Sequence, residues 1–223
     1  MENIYESKAM KKFLDDDEYN PRKHIHNLDI NKIFMVLGPT GSGKTNFLVN
    51  LMKQYQDTFE QIIIYTADIH EPIYEMLNDQ SDQISVKTLN EIESLSSVDK
   101  VQQKLIIWDD FITLNKKQMV VLEEYAIRAR KLFCTQVFLT QNYYSVPTKI
   151  RNQVRYLVIL KLTNKRNLSL IVQGLPVDID VPTLKKIVLD ATEQKFSVCL
   201  LDLASSNPNE TIRRNFTEYY RIE

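Results

Sequence analysis

The chain has 223 residues, 43% hydrophobic and 26% charged, with a formal net charge of −1. That balance excludes a disordered or fibrous chain and allows one domain with a short appendage. No apolar run approaches the roughly 18–20 residues of a membrane span, and the opening Met1-Glu-Asn-Ile-Tyr-Glu6 does not read as a signal peptide. A soluble intracellular protein is expected. Cys134 and Cys199 each sit inside an apolar run and read as buried, reduced thiols. The pair His24-x-His26 has no cysteine or acidic companion at ligand spacing, so it predicts no metal site.

Residues 1–30 read as an N-terminal arm, with the acidic run Asp15–Glu18, Pro21 and no sustained periodicity. From residue 31 to 223 the pattern predicts one domain. Short apolar runs at Ile33–Leu37, Gln61–Thr66, Gln83–Thr88, Lys104–Asp109, Thr135–Thr140, Arg155–Leu162 and Phe196–Leu203 read as strands buried on both faces. Helical patterns lie between them at 43–56, 71–79, 116–131 and 182–193, with Pro182 suited to a first turn. Alternating strands and helices predict an α/β fold: a mainly parallel sheet with helices on both faces.

Glycine and charge are both unevenly spread. The chain has only four glycines, and three of them, Gly38, Gly41 and Gly43, fall within six residues. Residues 1–124 carry 13 basic and 21 acidic side chains, whereas residues 125–177 carry nine basic and no acidic ones. The basic segment comprises Arg128, Arg130, Lys131, Lys149, Arg151, Arg155, Lys161, Lys165 and Arg166, and it points to a polyanionic partner.

Gly38-Pro39-Thr40-Gly41-Ser42-Gly43-Lys44-Thr45 matches G-x-x-x-x-G-K-[ST] between a predicted strand and a predicted helix. Glycines let successive backbone N–H groups turn inward around phosphate oxygens, and the helix N-terminus adds its positive end. Lys44 is expected to reach the β- and γ-phosphates of a bound nucleotide, and Thr45 to offer its hydroxyl to Mg²⁺. Asp109, ending an apolar strand, is expected to orient the metal shell, and Asp110 to polarise the attacking water. The strand ending Thr140-Gln141 places an amide where it can hold that water or sense the γ-phosphate. A guanine-reading Asn-Lys-x-Asp is missing, since Asn164-Lys-Arg-Asn167 lacks the acid, and no Leu-Ser-Gly-Gly signature occurs.

These three features in this order resemble the FtsK–HerA group of DNA-translocating ATPases, within the RecA-like (ASCE) P-loop NTPases. Residues Ala129–Arg151, from Arg130-Lys-Leu-Phe-Cys-Thr-Gln-Val-Phe-Leu-Thr-Gln141 on through Ser145-Val-Pro to Ile150-Arg151, are similar to the poxvirus-type genome-packaging ATPases. The resemblance covers roughly residues 31–203. It implies a homo-oligomeric ring, a hexamer, that hydrolyses ATP to push double-stranded DNA into a preformed capsid, with a capsid or portal-vertex protein as a further partner. It implies action in the host cytoplasm, with presence in the virion as an extension. It also implies an arginine supplied in trans, for which Arg130 is the first candidate and Arg151 and Arg155 the next. Asp110 departs from the glutamate often found there. Lys149, Lys165 and Arg166 are the candidate pore cations, and Tyr143-Tyr144 a candidate DNA contact. Two other classes use the same loop: a nucleotide-gated assembly module, and a nucleoside or polynucleotide kinase.

Overall fold

The computed structural model describes residues 19–222, apart from Lys100 and Ser206. Its helices, in chain order, are α1 (Lys23–His26), α2 (Lys44–Gln54), α3 (Pro72–Gln80), α4 (Lys116–Arg128), α5 (Thr148–Arg151), α6 (Lys165–Gln173), α7 (Val181–Ala191) and α8 (Pro208–Thr211). The strands are β1 (Ile33–Leu37), β2 (Gln61–Thr66), β3 (Ile84–Thr88), β4 (Lys104–Trp108), β5 (Cys134–Thr140), β6 (Val154–Ile159), β7 (Cys199–Asp202), β8 (Ile212–Arg214) and β9 (Glu218–Tyr219).

All of these strands form one sheet in the order β3-β2-β4-β5-β1-β6-β7-β8-β9. Strands β3 through β6 pair in parallel, and β7, β8 and β9 each join antiparallel. The sheet is therefore mainly parallel, with helices on both faces, as its alternating pattern predicts. Strand β1 shows how the period of two divides the core. Ile33, Met35 and Leu37 point to the face covered by α4, α6 and α7, while Phe34 and Val36 point to the face covered by α2 and α3. Strands β1, β4, β5 and β7 are buried throughout, as expected. Strand β3 departs from that expectation: it is the sheet edge and is only half-buried along its length.

Residues 22–30 contribute to the core. His26, Leu28 and Ile30 are buried, and the buried Arg213 guanidinium donates to the carbonyls of His26 and Phe216. The His26 ring meets Tyr55 edge-on at 5.0 Å, and burial first, then the cations Arg213 and Arg22, pull its pKa down to about 4. The acidic run Asp15–Glu18 lies outside the described residues. Both cysteines are buried free thiols, and burial pushes Cys134 up to about 12 and Cys199 higher still.

Six elements are additional to those the sequence pattern predicts: α6, the four-residue helices α1, α5 and α8, and the strands β8 and β9. Helix α6 is capped by the Asn164 side chain, which accepts from the N–H groups of Arg166 and Asn167, and it buries Leu168, Ile171 and Val172. Strands β8 and β9 are three and two residues long, too short for an alternating pattern to register.

Candidate nucleotide site

The loop from Gly38 to Thr45 leaves the C-terminal end of β1 and enters α2. Its start is pinned on both sides: Gly38 N–H donates to Thr140 O at 3.1 Å, and Leu160 N–H donates to Leu37 O at 2.8 Å. Gly41 has φ 73° and Gly43 φ 103°, a region that disfavours any side chain. A Cβ on Gly38 would collide with Ser42 Oγ, and one on Gly43 would lie 2.7 Å from Phe196 Cδ1. Backbone is thus drawn in where side chains would not fit. Lys44 Nζ donates to the carbonyls of Gly38 at 3.1 Å and Pro39 at 3.2 Å.

Because β4 lies beside β5, and β5 beside β1, the sheet carries Asp109 and Asp110 to the same edge as the loop. Asp109 is buried and doubly held: Tyr74 Oη donates to its Oδ2 at 2.6 Å, and Asp110 N–H donates to its Oδ1 at 3.0 Å. Burial pushes the Asp109 carboxyl above the usual range, and the Tyr74 hydroxyl opposes that rise by bonding the charged form. Burial likewise pulls the Lys44 ammonium down, while Asp109, Asp110 and Glu71 pull it back up. Lysine and carboxylates therefore share one electrostatic neighbourhood. Asp110 sits at φ 51° with its side chain exposed, opening a short 3₁₀ turn over Phe111–Thr113.

Two residues at this edge were not singled out from the sequence. Glu71 is half-buried at the N-cap of α3, with its carboxyl close to the Thr45 hydroxyl. Burial raises Glu71, and Asp109, Asp68 and Asp110 add to the rise. Tyr74, one turn on, reaches Asp109 from inside the core. The sequence signal was present, since Pro72 marks a helix start just after a strand. What brings them to Asp109 is the pairing of β2 with β4.

The remaining predicted residues divide. Gln141 is exposed at the end of β5, on the loop's edge of the sheet. Arg130 is exposed in the 3₁₀ turn Ala129–Leu132, which precedes β5 and so lies at the opposite edge. The seven residues of β5 separate the two edges by roughly 20 Å. Arg155 is an ion-pair partner within its own chain: its Nε and Nη2 lie 2.5 and 2.8 Å from the two carboxylate oxygens of Asp202, with Asp29 at 3.9 Å. Arg151 donates to Val146 O and Thr148 Oγ1 and lies over the rings of Tyr143 at 5.2 Å and Tyr144 at 5.4 Å. Neither is a free arginine; the Tyr143 and Tyr144 rings meet edge-on at 5.2 Å, Tyr143 half-buried and Tyr144 exposed. Lys149 pairs with Glu123 at 2.8 Å. Arg166 is exposed in the first turn of α6, and the Lys165 side chain lies outside those described.

A glycine-bounded loop between a central strand and a helix, with carboxylates ending a strand two places along the same sheet edge, is the architecture of a P-loop NTPase. Solved structures share this fold. The DNA-packaging ATPase B204 from Sulfolobus Turreted Icosahedral Virus superposes with a TM-score of 0.54 at 14% identity, over 84% of this chain and 98% of that one. The genome packaging NTPase B204 from Sulfolobus turreted icosahedral virus 2, in complex with ATP-gammaS, gives 0.57 at 14% identity, over 85% and 98%. EssC (ATPases 2 and 3) from Geobacillus thermodenitrificans gives 0.55 at 10% identity, over 85% of this chain and 39% of that one. Comparison with curated protein sequences returns no match. Residues 22–201 match the family described as Poxvirus A32 protein, and the chain belongs to that family. No described helix is long and apolar enough to cross a membrane.

Proposed function

We propose that this chain hydrolyses ATP and uses the energy, as a homo-oligomeric ring, to move double-stranded DNA into a preformed capsid. The observation that carries the reading is the convergence of Lys44, Asp109 and Asp110 at one sheet edge, beside a loop whose glycines disfavour a side chain by close contact or by positive φ. Membership of the poxvirus A32 family and the fold shared with packaging ATPases support it.

The residues fit a nucleotide with Mg²⁺. Ser42 Oγ is a buried polar atom without a hydrogen-bond partner, set in a loop of inward-turned backbone. Among the described residues no cluster of three acidic, His or Cys side chains could hold a metal alone. A hydroxyl and one carboxylate, Thr45 and Asp109, suit a magnesium ion that completes its shell with phosphate oxygens and water. Bound there, the ion would neutralise charge developing on the β- and γ-phosphates. Lys44 and the loop N–H groups hold the triphosphate. Gln141 orients the attacking water, and Asp110, exposed on the same edge, accepts its proton. Asp109 is aimed by Tyr74, whose hydroxyl favours the charged carboxylate. Glu71 joins this set as the partner of Thr45.

Arg130 cannot reach the loop of its own chain across the sheet, so its role is in trans, toward the neighbour's γ-phosphate. Arg155 and Arg151 drop out of that role because their guanidinium groups are already engaged. Contact with DNA is through phosphates, along the exposed cations of residues 125–177, of which Arg128, Lys131 and Arg166 are examples. The test is steady-state ATP hydrolysis with and without long double-stranded DNA at low salt, with Lys44→Ala as the blank. Stimulation that fades as salt rises is the expected result. Hydrolysis indifferent to DNA would overturn the motor and favour a nucleotide-gated assembly module.

A further inference from the structure

On the side of the loop away from the carboxylates lies a groove of about 290 Å³, between residues 39–42, the end of β6 and the turn that leads into β7. Phe196 in that turn is unusual three times over. Its ring is 49% exposed, and it belongs to neither core face. Its backbone sits at φ 68°, where a bulky side chain is strained. It also touches the phosphate loop, because a Cβ on Gly43 would lie 2.7 Å from its ring. An exposed aromatic held in strained backbone against a loop is not accounted for by packing.

The direction of a bound nucleotide follows from the sheet. Asp109, Asp110 and Gln141 stand on the β4–β5 flank of β1, so the terminal phosphate points there. The nucleoside end then extends to the opposite flank, where β6 and the Phe196 turn lie. The chemistry of the groove agrees. It holds two cations, Lys161 and Lys195, no carboxylate, and the neutral polar side chains Thr163 and Gln194. Lys195 Nζ lies 4.8 Å from the Phe196 ring centroid, which fixes a positive charge beside the ring. A flat apolar face beside cations and neutral hydrogen-bonding groups suits a purine attached to phosphates.

We propose that Phe196 is the platform on which the base of the nucleoside triphosphate stacks, on the ring face away from Lys195 and with Lys161 at its margin. The proposal rests on the reading of the Gly38–Thr45 loop as a nucleotide site. Truncating an aromatic that stacks on a base lowers affinity by about 5- to 150-fold. The experiment compares binding of ATPγS and of inorganic tripolyphosphate, which has phosphates and no base, to the wild type, Phe196→Ala, Phe196→Trp and Lys44→Ala. Phe196→Ala is expected to lose that factor for ATPγS while keeping its tripolyphosphate affinity, and Phe196→Trp to restore it. A misfolded variant would lose both ligands, so the ratio of the two affinities is the readout. An unchanged ratio in Phe196→Ala overturns the platform and leaves the phosphate site standing. A wild type that binds neither ligand overturns the nucleotide reading and the platform with it.

Discussion

Removing the Tyr74 hydroxyl isolates the hydrogen bond that holds Asp109. Tyr74 is fully buried, and its 2.6 Å bond goes to a carboxylate that is itself buried. Hydrogen bonds to charged groups contribute about 1.5–3 kcal/mol. In Tyr74→Phe, Asp109 keeps the Asp110 N–H and the field of Lys44, but one oxygen loses its partner with little change in packing volume. The expected loss of stability is about 1.5–3 kcal/mol at pH 7.5, measured by urea unfolding. The same reasoning predicts that Asp109→Asn removes most of the penalty, since no buried charge is then left short of a donor. A double-mutant cycle over Tyr74→Phe and Asp109→Asn reads that coupling directly. A coupling energy below about 0.5 kcal/mol would refute the claim that the hydroxyl acts by stabilising the charged carboxylate.

The Gly43→Ala variant should lose about 1–2 kcal/mol from its positive φ alone, and more from contact with Phe196; adding Phe196→Ala should recover only the second part, which thermal unfolding of the three variants would show. Because His26 is lowered to about 4 from an ordinary 6.5, its contribution to stability is complete above pH 6.5 and is lost as pH falls toward 4. The loss is bounded at about 3 kcal/mol and reduced by solvent screening, and His26→Leu should flatten that limb of the pH profile of unfolding. Arg155→Met should cost up to about 3 kcal/mol, by stranding the buried Asp202, yet leave ATP turnover per folded molecule unchanged; a fall in turnover would return Arg155 to the site. If Arg130 acts in trans, mixing inactive Arg130→Ala with inactive Lys44→Ala subunits should restore hydrolysis, because one kind of interface then pairs an intact loop with an intact arginine.

What was legible in the sequence is what lies close together along the chain. The Gly38–Thr45 loop is a contiguous pattern with a strand before it and a helix after it, and the apolar run into Asp109-Asp110 is equally local. Glu71 and Phe196 reach the loop only through the sheet order, β2 beside β4 and β7 beside β6, which no local pattern states. The pairing of Arg155 was hidden for the same reason. Its partner Asp202 is 47 positions away, so a paired cation looks free in a segment without acids. Helix α6 was missed because Lys165 and Arg166 occupy its first turn, where a helix disfavours positive charge, although the Asn164 cap and the spacing of Leu168, Ile171 and Val172 were there to be read.

The clasp between Arg213 and the backbone at His26 bears on how the protein is made. Tyr219 lies within 3.5 Å of Asn27 Nδ2 and 4.8 Å under the Arg213 guanidinium, so both sides of the clasp join residues nearly 190 positions apart. Synthesis proceeds from the N-terminus at about 5–20 residues per second, so the segment around His26 waits on the order of ten seconds or more for its partners to appear. During that interval Leu28 and Ile30, and the central strand β1 that needs β5 and β6 on its flanks, have no complete surface to bury against. Folding of this chain is therefore expected to finish only after β8 has left the ribosome. Nascent chains that stop short of Arg213 should be the ones that engage chaperones.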